Sequence, residues 1–288
     1  MHNEAQHITL PEWVKADIQV QVSQALKEDI GSGDITAELI PEDAMAKATL
    51  ITREPMVLSG QAWVDEVLDQ LGGNVTITWH YRDGDRVPEN GVVLELHGRA
   101  RTILTAERTA LNFLQTLSGT ATTARYYADL VEGTGCTLLD TRKTIPGLRT
   151  AQKYAVTCGG CQNHRIGLYD AFLIKENHIA AHGSITKAVQ QAKQKYPNRW
   201  VEVETETMEQ VQEAMASGCD VIMLDNFSYA DMAEAVKLVN GKVKLEGSGD
   251  ITEETLAKVA ATGVDYISIG ALTKHLRAID FSLRLAME

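Results

Sequence analysis

The sequence predicts an α/β protein in which an N-terminal α+β sandwich-like domain precedes a C-terminal incomplete parallel α/β barrel. Three observations carry this. Between residues 137 and 270, six short apolar runs alternate with helical stretches, the rhythm of βα repetition in a parallel sheet. The residues before about 119 mix strand and helix signals without that rhythm. Each apolar run of the second part ends in a charged or small polar residue, as strands do when they deliver side chains to the mouth of a barrel.

In the first part, Ala48 to Arg53, Val75 to Tyr81, Val92 to His97 and Ala100 to Thr105 read as strands, and Asp83-Gly84 as a hairpin-type turn. From Glu107 to Ser118 the apolar residues Ala110, Leu111, Leu114 and Leu117 recur at helical spacing, and Gly119 is expected to end that helix. The expected domains are therefore 1–119 and 120–275, with a C-terminal tail 276–288 that packs with the first. The barrel strands read TLLDT (137–141), FLIK (172–175), WVEVE (200–204), VIMLD (221–225), VKLEGS (243–248) and YISIG (266–270). Helices are expected at Ile185–Lys195, Met208–Ser217, Tyr229–Val239 and Thr252–Thr262, with Gly218 and Gly263 as stops. The polar strand ends are Asp140, Lys175, Glu204, Asp225, Glu246 with Ser248, and Ser268 with Gly270. Any one of them is explained by a strand leaving the core; together they point to one mouth.

Composition narrows the partners. A chain of 288 residues with net charge -12 and pI near 5.2 repels nucleic acid and anionic membrane surfaces, which leaves small molecules. The opening MHNEAQHITLPEW lacks a basic segment followed by an apolar core, and no apolar run approaches the roughly 18 residues of a span, so a cytoplasmic protein is expected. Four scattered cysteines, Cys136, Cys158, Cys161 and Cys219, are expected to be reduced thiols. Cys158, Cys161 and His164 form a C-x2-C-x2-H run, but a closed zinc site wants a fourth ligand, and small residues in a tight Gly-Gly turn are the favoured reading.

Charge is distributed unevenly. From Asp140 to His178 there are six Lys or Arg (Arg142, Lys143, Arg149, Lys153, Arg165, Lys175) against three acids (Asp140, Asp170, Glu176). Arginine forks match carboxylates and phosphates bidentately and lysine supplies a point charge, so this mixture suits a ligand carrying both groups. Lys153 is expected to be a solvated surface charge. Glu204 and Asp225 end neighbouring strands and suit either ribose hydroxyls or Mg²⁺ whose shell phosphates complete, a pair of surface acids being the alternative. Gly247-Ser248-Gly249 precedes a helix, and Ser268-Ile269-Gly270-Ala271 follows the last strand. Loops there are recurrent phosphate sites.

The runs LLDTRKTIPGLRTAQKYAV and NHRIGLYDAFLIKENHI, then VEVE, IMLDNF and EGSG, resemble the quinolinate phosphoribosyltransferases (carboxylating nicotinate-nucleotide pyrophosphorylases). LKEDIGSGDIT near the start and ERTALNFLQTLSG at the boundary extend the resemblance over nearly the whole chain. It implies a type II phosphoribosyltransferase of NAD biosynthesis: a barrel short of full closure, a homodimer with shared sites, Mg²⁺ and no organic cofactor. It also implies that quinolinate and 5-phosphoribosyl-1-pyrophosphate give nicotinate mononucleotide, pyrophosphate and CO₂. Residue by residue, it implies Arg142, His164, Arg165 and Lys175 around the quinolinate carboxylates, with Arg108 from the partner chain and Lys143 at the pyrophosphate. Glu204 and Asp225 would face ribose and metal, directly or through water, and Ser248, Gly249 and Gly270 would cradle the 5-phosphate; Lys143, Lys175, Glu204 and Asp225 form the catalytic set. Two positions depart from the pattern. Cys161 stands where glycine is frequent, and Asp250 follows the Gly-Ser-Gly turn where a neutral residue is usual; Asp250 is expected instead to cap the next helix with Glu253 as its capping-box partner.

Two rival activities remain in view. Nicotinate phosphoribosyltransferase is similar in fold but handles one carboxylate, whereas Arg108, Arg142 and Arg165 favour two. A Schiff-base aldolase would use a barrel-end lysine such as Lys175 as nucleophile, which the dense arginine neighbourhood disfavours. A non-catalytic anion-binding module would bind ligand without releasing pyrophosphate.

Overall fold

The computed structural model describes residues 8–288, so the first seven residues of the opening stretch lie outside the described residues. In chain order the elements begin with helix α1 (Glu12–Ile30), strands β1 (Met45–Thr52) and β2 (Met56–Val57), helix α2 (Gln61–Gln70), and strands β3 (Val75–Trp79), β4 (Arg86–Val87) and β5 (Val92–Arg99). There follow α3 (Ala100–Leu130), β6 (Thr137–Leu139), α4 (Arg149–Cys158), β7 (Ala171–Ile174), α5 (Glu176–His182), α6 (Ile185–Lys195), β8 (Trp200–Thr205) and α7 (Met208–Ser217). The chain closes with β9 (Val221–Asp225), α8 (Tyr229–Val239), β10 (Lys244–Ser248), α9 (Glu253–Ala260), β11 (Tyr266–Ser268), α10 (Ala271–Lys274) and β12 (Phe281–Met287). Two compact units result: residues 8–126, 144–160 and 272–288 form the first, and 127–143 with 161–271 the second. Among the described residues no helix is long and apolar enough to cross a membrane.

The first unit is built on an antiparallel sheet of order β12-β1-β5-β3. Alternation along β1 sends Ala46, Ala48 and Leu50 inward, where they meet Trp63, Leu94, Ile103 and Leu114 in one apolar cluster. Burying such a side chain contributes on the order of 1.5–3 kcal/mol, which is what fixes α2 and α3 to the sheet. Trp63 keeps its indole N–H satisfied by donating to Gln21 Oε1 at 2.8 Å. The C-terminal tail joins this unit as β12, paired with β1 from Ala46↔Met287 to Thr52↔Phe281.

Several expectations are corrected here. Ala100–Thr105 is not a strand but the start of α3, because Ala100, Ile103 and Ala106 are buried at helical spacing and outweigh the β-branched character of Thr102, Ile103 and Thr105. Gly119 does not end that helix, which runs on to Leu130. A Cβ at Gly119 would lie 2.2 Å from the Arg277 carbonyl oxygen, so the glycine serves close approach of the tail. The Asp83-Gly84 turn joins β3 to β4, which do not pair with each other; β3 pairs with β5 and β4 with β2. Lys153 is wholly buried instead of solvated, since α4 buries every residue from Ala151 to Val156.

The second unit is a parallel sheet of order β6-β11-β10-β9-β8-β7 with α6 to α9 as crossovers. Helix starts follow from local chemistry: Ser184, Thr207 and Ser228 accept from the N–H of Lys187, Gln210 and Asp231. Thr252, with Thr255, caps α9, so Asp250 does not; the threonine hydroxyls lie where the first-turn amides point. The edge strands β6 and β7 do not pair with each other, and β6 is extended only by a bridge from Leu139 to Gln162, so the barrel is incomplete.

Replacing Gly119 with alanine is expected to destabilise the protein by about 1–3 kcal/mol, the usual cost of forcing a methyl into filled space. Urea unfolding measures this. An unchanged midpoint would mean that the tail is not held at the Arg277 carbonyl.

Candidate active site

The period of two along a strand decides which side chains enter the barrel. On β8 it selects Glu202 and Glu204, on β9 Val221, Met223 and Asp225, and on β10 Glu246 and Ser248. Register then sets Ser248 beside Asp225 and Glu204 beside Met223. Most of the expected residues therefore gather at the carboxyl ends of the strands in the second unit.

Lys175 follows β7, and its Nζ donates to Glu204 Oε2 at 2.6 Å, while its backbone N–H donates to His178 Nδ1 at 3.0 Å. Asp225 Oδ2 accepts from Asn226 Nδ2 at 3.0 Å. At Gly249 φ is +101° and a Cβ would meet Asn226 Oδ1 at 2.2 Å, so only glycine lets these two loops approach. A Cβ at Gly270 would meet the Lys143 side chain at 3.0 Å, which puts the exposed Lys143 against the glycine backbone after β11. Arg142 and Arg165 are half-buried neighbours. Burial, then the Arg142 charge, pulls the Arg165 guanidinium below its usual range, with Glu202 and Asp170 opposing. Arg142 Nε is buried and has no hydrogen-bond partner. Arg108 is exposed on α3 in the first unit and is not part of this cluster within the second.

Asp140 and Glu246, expected at the mouth, do something else. Asp140 is wholly buried and clamps its own chain: Oδ2 accepts from Asn163 Nδ2 at 2.7 Å and Oδ1 from the His164 N–H at 2.9 Å. Glu246 lies below the mouth, 1 % exposed, and with Glu202 faces His164. The Nε2 of that histidine is 2.8 Å from Glu202 Oε2 and 3.5 Å from Glu246 Oε2. Sequence reasoning passed over Glu202, although the alternation in Val201-Glu202-Val203-Glu204 already sends two glutamates to the same face.

The electrostatics of the His164 group is tightly coupled. Burial pulls the imidazole down, while the hydrogen bonds and charges of Glu202 and Glu246 draw a proton toward its Nε2 side. Burial likewise pushes Glu202 up, to about 7. Against a second ring proton stands the Arg165 N–H, which donates to His164 Nδ1 at 2.8 Å and would face a protonated Nδ1 donor to donor. An Nδ1 that accepts the Arg165 N–H leaves Nε2–H as the donor of the ring toward the two carboxylates.

His164, Glu202 and Glu246 also offer ligand atoms within 4.8 Å of one another, the one such grouping among the described residues. A metal on Nε2 would need the ring proton on Nδ1, again facing the Arg165 N–H, so the arrangement does not suit one. Neither Cys158 nor Cys161 belongs to the grouping, and burial pushes the Cys158 thiol up to about 12. Glu204 and Asp225 fit a hard cation better. Each has one oxygen engaged by Lys175 or Asn226, and both stand at the mouth. A cavity of about 380 Å³, lined by His164, Arg165, Glu202, Glu246, Phe172 and Trp200 among others, extends toward the opposite end of the strands.

Comparison with known proteins agrees with this geometry. Residues 34–118 match the model of the quinolinate phosphoribosyl transferase N-terminal domain and residues 120–284 that of its C-terminal domain. A Bacillus subtilis protein named probable nicotinate-nucleotide pyrophosphorylase (carboxylating) is 42% identical over 261 residues, covering 90% of this chain and 90% of its own length. A protein of the same name from Synechocystis is 39% identical over 287 residues, covering 98% of this chain and 97% of its own. The solved nicotinate-nucleotide pyrophosphorylase of Francisella tularensis superposes with a TM-score of 0.92 at 50% identity, over 99% of this chain and 100% of that one. Family models along most of the chain and relatives of this identity leave one conclusion: the chain belongs to the quinolinate phosphoribosyl transferase family.

Proposed function

We propose that this protein transfers the phosphoribosyl group of 5-phosphoribosyl-1-pyrophosphate to the ring nitrogen of quinolinate with loss of CO₂, giving nicotinate mononucleotide and pyrophosphate for NAD biosynthesis. The observation that carries this reading is the pair Arg142 and Arg165. They are two neighbouring guanidinium groups, one with a buried orphan donor, and a dicarboxylate neutralises two such cations where a monocarboxylate neutralises one. That asymmetry also disfavours nicotinate as substrate.

The chain's own groups act by position and charge. Arg142, Arg165 and Lys175 receive the quinolinate carboxylates, His164 contributes through the Arg165 N–H that its ring holds, and Lys143 meets the pyrophosphate. The backbone at Ser248, Gly249 and Gly270 holds the 5-phosphate, in loops that follow the last two strands of the second unit. Breaking the bond from ribose C1 to pyrophosphate builds positive charge on the sugar, which the Glu204 and Asp225 carboxylates offset, and negative charge on the leaving group, which Lys143 offsets. Mg²⁺ held near Glu204 and Asp225, through ribose or water, would supply further charge neutralisation for the diphosphate. Once the ring nitrogen has bonded to C1 it is cationic. The electron pair released when the adjacent carboxylate departs as CO₂ then stays on the ring carbon beside that nitrogen and is protonated there. The Lys175 Nζ is engaged by Glu204 Oε2 at 2.6 Å, which speaks against a Schiff-base nucleophile. A homodimer in which Arg108 reaches the partner's site, acting in the cytoplasm, completes the reading.

Pure protein incubated with quinolinate, 5-phosphoribosyl-1-pyrophosphate and Mg²⁺ should release CO₂; equal turnover of nicotinate would overturn the substrate. Arg142→Lys and Arg165→Lys keep the charge but lose the fork, and each should weaken quinolinate binding by about 1.5 to 3 kcal/mol. Unchanged affinity in both would remove these arginines from the site.

The shared site has its own test. Arg108→Ala and Lys143→Ala should each be nearly inactive alone. Mixed after dissociation, random reassortment gives heterodimers with one intact site, restoring roughly a quarter of wild-type activity. Heterodimers that form without recovery would show that Arg108 serves its own chain.

A further inference from the structure

Glu202 and Glu246 occupy the interior one step below the mouth. Each precedes a mouth residue, Glu204 or Ser248, by two positions on its strand and so shares its face. They are 7 % and 1 % exposed, and Oε1 of each is buried without a hydrogen-bond partner. Burying two carboxylates side by side is costly unless something is gained. What they face is the His164 Nε2, at 2.8 and 3.5 Å.

The other face of that ring reaches the chain itself, because Nδ1 accepts the Arg165 N–H at 2.8 Å. An acceptor at Nδ1 requires the proton at Nε2, and a proton at Nε2 requires an acceptor beyond it. The carboxylates supply it. A chain of hydrogen bonds thus runs from Glu202 and Glu246 through the imidazole to the peptide that carries the Arg165 side chain. We propose that Glu202 and Glu246 are positioning residues for substrate: by accepting the Nε2 proton they fix the His164 ring, which fixes the Arg165 peptide and so aims its guanidinium at a substrate carboxylate. The carboxylates touch neither substrate nor reacting atoms. This inference rests on the reading of Arg165 as a quinolinate ligand given above.

Hydrogen bonding, not charge, is what the device needs, and that separates it from a general stabilising role. Glu202→Gln keeps an oxygen that accepts from Nε2–H and should change KM for quinolinate less than threefold. Glu202→Leu fills the same space with no acceptor and should raise that KM tenfold or more, while KM for 5-phosphoribosyl-1-pyrophosphate stays within twofold. Glu246→Leu should act in the same direction. The proposal is overturned if the leucine variants leave the quinolinate KM unchanged, if both KM values rise together, or if Glu202→Gln is as impaired as Glu202→Leu. Should the leucine variants not fold, ¹⁵N spectra of the wild-type His164 ring decide: a ring protonated at Nε2 alone at neutral pH is expected, and a proton on Nδ1 overturns the proposal. A wild-type protein that turns over no quinolinate would sink the reading of function and the substrate named here. An active wild type with insensitive variants would sink this inference alone.

Discussion

Arg142 and Arg165 repel each other, and holding two guanidinium groups as neighbours before any ligand arrives is what the second unit has to accomplish. Near a protein surface, like charges in contact cost a few kcal/mol. Side-chain freedom would ordinarily let them swing apart, so the backbone beneath them must be over-determined. Asp140 holds it from one side, through Asn163 and the His164 N–H. Asp170 holds it from the other, accepting from Ile166 N–H at 2.6 Å and Gly167 N–H at 3.1 Å. Between them the His164 ring takes the Arg165 N–H. Every residue from Asn163 to Gly167 is thus tied to a side chain that the barrel has already fixed.

That arrangement has a chemical use. Donors already aimed at the place where a carboxylate will sit cost no reorganisation when it arrives, and an orphan donor such as Arg142 Nε gains a partner only then. Repulsion between the arginines becomes part of the affinity for a dianion, since binding relieves it. A monoanion relieves less of it. Selectivity for two carboxylates over one follows from the empty site as much as from the contacts in the filled one.

Much of this was legible because strand ends obey a simple rule. Six apolar runs ended in polar residues, and Lys175, Glu204, Asp225 and Ser248 do stand at the ends of β7 to β10. Three crossover helices, Ile185–Lys195, Met208–Ser217 and Tyr229–Val239, have the bounds that apolar periodicity and caps indicate. The failures share a cause: each depends on what packs against a residue, which a one-dimensional pattern does not carry. Ala100–Thr105 has strand-like composition but is pulled into α3 by the cluster around Ile103 and Leu114. Lys153 looks like any surface cation until α4 is seen to be buried on nearly every side. Glu246 and Asp140 sit at strand ends with the residues of the mouth, yet the one lies below it and the other is turned into the structure.

A net charge of -12 on a protein that handles polyanions raises an apparent conflict between the whole molecule and its site. Distance resolves it. At physiological ionic strength, interactions between exposed charges fade beyond about 8 Å, so carboxylates spread over the surface scarcely oppose a ligand already at the mouth. The cations of the site are Arg142, Lys143, Arg165 and Lys175, and partly buried pairs are screened much less than exposed ones. Of the acids placed near them, Glu204 is already engaged by Lys175, and Glu202 and Glu246 are turned toward His164. A compact dianion at the mouth meets cations, while the Glu204 and Asp225 carboxylates beside them are engaged by Lys175 and Asn226.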